Sequence, residues 1–77
     1  MDAVLAFGKV LRSMRQAAAL TQEQLGLDAD LRRTYISILE LGQQQPSLTT
    51  IFKLAKALDC SAQQMIANVE LEMKKKK

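Results

Sequence analysis

The chain has 77 residues, 48% of them hydrophobic but only three aromatic, and a formal net charge of +3. That length fits one small domain whose core is marginal enough for a second copy to add burial. The absence of histidine, a single cysteine, and the lack of a carboxylate cluster or glycine-rich phosphate loop argue against an enzyme, an internal disulfide, a metal site or a bound cofactor.

The first predicted helix spans Asp2 or Ala3 to Ala18, with Asp2 as its cap and Phe7, Val10, Leu11, Met14 and Ala17 or Ala18 recurring as an inward stripe. At Thr21 a hydroxyl can cap the next helix while Gln24 reaches back, so a second helix starts at Gln22 and points Leu25 inward. The string Asp28-Ala29-Asp30 contains poor helix formers and ends that helix near Leu27 or Asp28. A third helix runs from about Arg33 to Glu40, burying Tyr35, Ile36 and Leu39, with Gly42 as its stop. On its other side Arg33, Thr34, Ser37, Ile38 and Leu41 share an arc of about 140° at 100° per residue, free to touch a partner.

After the polar loop Gln43-Gln44-Gln45-Pro46, Ser47 caps a fourth helix whose Leu48, Ile51, Leu54, Ala55 and Leu58 are expected to face the core. Cys60 is expected to serve as a small buried apolar residue. Ser61 and Gln64 suggest a second capping box, opening a fifth helix with Met65, Ile66 and Val69 along one side. The domain is expected to occupy residues 1–70, leaving 71–77 as a flexible basic tail, with a non-specific phosphate contact as the alternative role of its Lys74 to Lys77 run. No membrane span or signal peptide is expected, so the protein is placed in the cytoplasm. Charge is uneven: residues 31–60 carry four basic and two acidic groups, whereas residues 1–30 carry three and four. Lys74 to Lys77 alone outweigh the net +3, so placement of charge says more than its total.

The run Leu-Thr-Gln-Glu-x-Leu at Leu20–Leu25, Tyr35-Ile36-Ser37, and Pro46-Ser47-Leu48 stand in a characteristic order and spacing. Together they resemble the helix-turn-helix of lambda-repressor-like, or xenobiotic-response-element (XRE), transcription regulators. Phe7-Gly8 with Leu11-Arg12 and Met14-Arg15 resembles that family's first helix, and Leu54-Ala55-Lys56-Ala57-Leu58 its fourth. The resemblance covers roughly residues 7–66, and the Arg33-Thr34-Tyr35-Ile36-Ser37 run is similar in particular to short controller proteins of restriction-modification systems. It implies an all-α, compact five-helix DNA-binding domain with its motif at about residues 21–40.

In such a motif the second helix enters the major groove near its N-terminus while the first lies across the backbone. Arg33 and Thr34 are the leading base readers, since arginine can bond guanine O6 and N7 together and threonine can donate a hydrogen bond or meet a thymine methyl. Ser37 can add a weaker contact, and Ile38 an apolar one unless it is simply exposed without a role. Gln22, in the first turn of its helix, suits a phosphate oxygen, a use the family makes of the corresponding glutamine. The resemblance also assigns phosphate contacts to Gln43 and Gln44, and Arg32 is the more useful electrostatic contact, its alternative being a solvated charge. It further implies a partly buried ion pair between Arg15 and Glu40. Asp30 and Ala19 replace glycines of the family pattern, and Arg32 replaces a capping Ser or Thr at a cost of about 1 kcal/mol.

These readings converge on a homodimeric, sequence-specific DNA-binding transcription regulator, because one recognition helix reads only a few base pairs and two-fold pairing doubles the site. Met65, Ile66, Val69, Leu71 and Met73 are the expected dimer surface, with Met65 and Ile66 alternatively intramolecular. Double-stranded DNA and a second copy are the expected partners, RNA polymerase or another protein a further candidate. The competing reading is an antitoxin-like or adaptor module that holds a protein on an exposed Ile38/Leu41 pair.

Overall fold

The computed structural model describes residues 1–75 as five helices, with no strand among them. They are α1 (Ala3–Ala17), α2 (Gln22–Ala29), α3 (Arg33–Glu40), α4 (Leu48–Ala57) and α5 (Ala62–Lys74). Four of the five starts are fixed by a side-chain oxygen that accepts from a first-turn amide, which satisfies a donor the helix itself cannot pair. Asp2 Oδ1 accepts from Leu5 N at 2.9 Å, Thr21 Oγ1 from Gln24 N at 3.0 Å, Ser47 Oγ from Thr50 N at 3.1 Å and Ser61 Oγ from Gln64 N at 3.0 Å. At Thr21 the box is complete, since Gln24 Oε1 accepts from Thr21 N at 2.9 Å. At Ser61 only the serine half forms, so the expected second capping box reduces to a simple cap.

Every helix sends at least one large apolar side chain into a single core. Leu11, Leu25, Ile36, Leu39, Leu54 and Met65 are all fully buried, and Ala6 and Ala55 keep neighbouring helices close. α1 lies against both α3 and α5, while α2 fills the space between α3 and α4. α3 is thus backed by α1 and α2 rather than projecting freely.

Several expected core positions lie elsewhere. Leu48 is 70% exposed, because it falls about 120° around α4 from Leu54, outside the buried arc. Thr50 lies within about 40° of Leu54 on the same wheel and is buried in its place. Its hydroxyl is satisfied by Ser47 Oγ at 3.0 Å and Tyr35 Oη at 3.3 Å. The α1 stripe ends at Met14, with Ala17 and Ala18 exposed, since a methyl group offers too little area to draw a helix end inward. α5 continues past the expected boundary at residue 70 to Lys74, so Leu71 to Lys74 are helical rather than tail. Lys76 and Lys77 of that expected tail lie outside the described residues. Cys60 is half-buried and packs against the core. Burial, helped by the charge of Asp59, pushes its thiol pKa up.

Candidate nucleic-acid interface

The geometry of the motif starts with its turn. α2 runs one to two residues beyond the expected end, to Ala29, and Asp30 caps it in the left-handed region at φ 56°, ψ 48°. A short polar side chain tolerates that conformation better than most. Gly26 makes the turn tight: a β-carbon there would stand 2.6 Å from the Leu31 carbonyl oxygen, a backbone atom that cannot swing aside. Three residues then lead into α3, whose cap Arg32 makes no side-chain capping bond and stays exposed.

α3 buries Ile36 and Leu39 fully and Tyr35 in part, and presents Arg33 and Thr34 to solvent at its first turn. Thr34 and Leu41 sit near the middle of the outward arc, and Leu41 is 60% exposed. Ser37 and Ile38 are half-buried. The expected exposed Ile38/Leu41 pair is therefore reduced to Leu41, because Ile38 lies at the rim of the arc, about 60° from Tyr35, and its neighbours cover part of it. Gln43 and Gln44 are exposed in the loop that follows. Arg32, Arg33, Thr34 and the two glutamines thus bracket the two ends of α3.

Behind that helix lies a network centred on Glu40. Arg15 Nε donates to Glu40 Oε2 at 2.6 Å and Nη2 to Oε1 at 3.1 Å, while Nη1 donates to the Leu20 carbonyl at 2.9 Å. The two side chains are 12% and 4% exposed, so the ion pair is screened little by water. The hydrogen bond to Glu40 holds the Arg15 guanidinium above its usual pKa, against the opposing effect of burial. Gln22, half-buried at the start of α2, joins the same carboxylate by donating from Nε2 to Oε1 at 3.1 Å.

Residues 11–65 match the family described as helix-turn-helix. The chain belongs to that family. It is 44% identical over 55 residues to Control protein C.BamHI of Bacillus amyloliquefaciens, covering 70% of this chain and 68% of that protein. Over 72 residues it is 35% identical to Control protein C.SmaI of Serratia marcescens, covering 94% and 86% of the two chains. The crystal structure of the restriction-modification controller protein C.AhdI from Aeromonas hydrophila matches with a TM-score of 0.78 at 40% identity, over 80% of this chain and 94% of that one. The resemblance seen in the sequence is met at the level of the family and the fold.

Against that family background, the structure separates the expected dimer residues. Met65 is 0% exposed and Val69 is also buried, both inside the core where α5 meets α1, so neither can contact a second copy. Their i,i+4 spacing puts them on the one face of α5 that the domain itself covers. Ile66, Leu71 and Met73 remain exposed. Ile66 and Met73 lie on one flank of α5, seven residues apart, whereas Leu71 falls about 140° away from Ile66. Ile66 also borders a groove of about 180 Å³ with Phe7, Pro46 and Ile51.

Two features of this helix-turn-helix went unread in the sequence. The hydroxyl chain from Tyr35 through Thr50 to Ser47 ties α3 to the start of α4, and its one local sign is that Thr50 stands three residues after a capping serine. The bond between Gln22 and Glu40 has no local sign at all, because it joins residues 18 apart. Among the described residues no cluster of His, Cys, Asp and Glu could hold a metal, and no helix is long and apolar enough to cross a membrane.

Proposed function

We propose that this chain is a cytoplasmic, homodimeric transcription regulator that binds double-stranded DNA in a sequence-specific way and carries out no catalysis. The observation that carries the reading is the exposed first turn of α3, where Arg33 and Thr34 stand free on a helix backed by the domain core. A second motif helix presents its N-terminal residues to base edges in the major groove. Arg33 would read guanine and Thr34 a neighbouring base, each good paired contact giving about 1–3 kcal/mol of discrimination. Ser37 and Ile38, half-covered, would add only edge contacts. Arg32, Gln22, Gln43 and Gln44 would hold phosphates on either side, which sets register without reading sequence. The relatives bear names of control and controller proteins of restriction-modification systems, and a regulatory role is carried to this chain from them.

The second copy would pair along the Ile66 and Met73 flank of α5, placing two α3 helices on one side of the dimer. Half-sites about one helical turn apart follow from that two-fold geometry. The competing reading, a module that holds a protein on an apolar patch beside α3, is supported by Leu41 alone now that Ile38 is half-covered. Selection of bound fragments from random duplex DNA tests the proposal, followed by titration of the selected duplex at several salt concentrations. A two-fold repeat is expected, with affinity falling about a thousandfold or more between 50 and 200 mM salt if six or more phosphates are touched. Failure to enrich any sequence, or a flat salt response, would refute it.

A further inference from the structure

We propose that Glu40 is a positioning residue for the phosphate clamp: through Oε1 it holds the Gln22 amide so that the second N–H of Nε2 is presented to a phosphate beside the bases α3 reads. The inference rests on the DNA-binding reading above and concerns how that site is set.

Glu40 is the last residue of α3 and Gln22 the first of α2, so the bond between them joins the far end of the reading helix to the start of the helix that crosses the backbone. The carboxylate cannot turn to follow Gln22, because Arg15 grips both of its oxygens and is itself anchored on the Leu20 carbonyl. A carboxylate oxygen only accepts. The glutamine must therefore show it the nitrogen, which removes the freedom an exposed amide has to present either end. One proton of Nε2 is then engaged and the other is left. Gln22 also borders an open polar cleft of about 410 Å³ together with Thr21, Glu23, Arg33 and Arg15. Phosphate oxygens, like Glu40, only accept. An amide nitrogen carries two protons and no charge, so Nε2 can donate to Glu40 and to a phosphate oxygen together, which a carboxylate side chain cannot do. Because Glu40 moves with α3, a displaced reading helix would also misdirect the clamp.

The test is a double-mutant cycle on affinity for a duplex recovered by selection from a random pool, with Gln22→Ala, Glu40→Asp and the double variant. Aspartate keeps the charge that Arg15 needs but draws its oxygens back by one carbon–carbon bond. Each single change should weaken binding about five- to tenfold, and the double variant should be no weaker than the worse single. Losses that multiply would overturn the proposal, since Glu40 would then act independently of Gln22. A second readout needs no variant to fold: in the free wild-type protein the Gln22 side-chain amide should be restrained in NMR relaxation relative to that of exposed Gln63. A Gln22 amide as mobile as that of Gln63 would overturn it. If the wild type prefers no duplex, the DNA-binding reading itself falls and this inference with it, whereas multiplying losses on a well-bound duplex refute the positioning role alone.

Discussion

Replacing Gly8 with alanine sets two effects of opposite sign against each other. In the interior of α1, alanine is favoured over glycine by about 1 kcal/mol. A β-carbon at position 8, however, would stand 2.6 Å from the Leu39 carbonyl oxygen and 2.7 Å from that of Glu40. Both atoms are backbone at the end of α3, so no side chain can swing away. Restoring a carbon–oxygen contact of about 3.3 Å means parting α1 from α3 by roughly 0.7 Å. Overpacking of this kind costs about 1–3 kcal/mol, and with two backbone opponents the upper half of that range applies. After the helix-propensity gain, Gly8→Ala should destabilise the protein by about 1–2 kcal/mol, lowering the melting temperature by about 5–15 °C for a domain of this size. Urea unfolding at one fixed protein concentration is the assay, because the proposed pairing of two copies would make apparent stability depend on concentration. Ser13→Ala, an exposed change on the same helix, is the control and should move stability by less than about 0.5 kcal/mol. A Gly8→Ala protein more stable than wild type would refute the close approach of α1 to α3.

Three further outcomes follow from the same packing. Arg15→Ala strands the 4%-exposed Glu40 carboxylate and should cost about 3–5 kcal/mol, whereas Arg15→Met combined with Glu40→Leu should restore much of that stability while weakening DNA binding; chemical denaturation of both variants checks it. Ala19, at φ 59°, adopts a conformation that achiral Gly visits freely and L-residues other than Asn and Asp only at a cost, so Ala19→Gly should raise stability by about 0.5–1 kcal/mol in the same assay. Ile66→Asp should shift sedimentation equilibrium to monomer while leaving the helical circular dichroism unchanged, and a dimer that survives it would move the interface off that flank of α5.

The sequence makes the helix starts legible because capping is local chemistry: Asp2, Thr21, Ser47 and Ser61 each bond an amide three residues on. Bounds of α3 and the outward place of Arg33 and Thr34 are likewise readable from a 3.6-residue period over a short helix. What escapes is anything decided by a neighbour. Leu48, expected in the core, lies outside it and Thr50 inside, because the buried arc of α4 is centred on Leu54, which only the docking of α2 and α5 determines. Met65 and Val69 read as surplus apolar surface until α1 is seen to cover them. The half-burial of Ile38 and the sharing of Glu40 between Arg15 and Gln22 depend on contacts between segments distant in the chain. The Arg15–Glu40 pairing itself was reachable only through family resemblance, since no periodicity links residues on α1 and α3.

The most direct test of the reading of α3 is a competition measurement with Arg33→Ala, comparing affinity for a selected duplex with affinity for random duplex at one salt concentration. If Arg33 reads a base, its removal lowers that ratio by about 5- to 150-fold, with folding and salt-dependent binding to random duplex largely kept. A ratio unchanged from wild type would contradict the account and place the reading surface on another face.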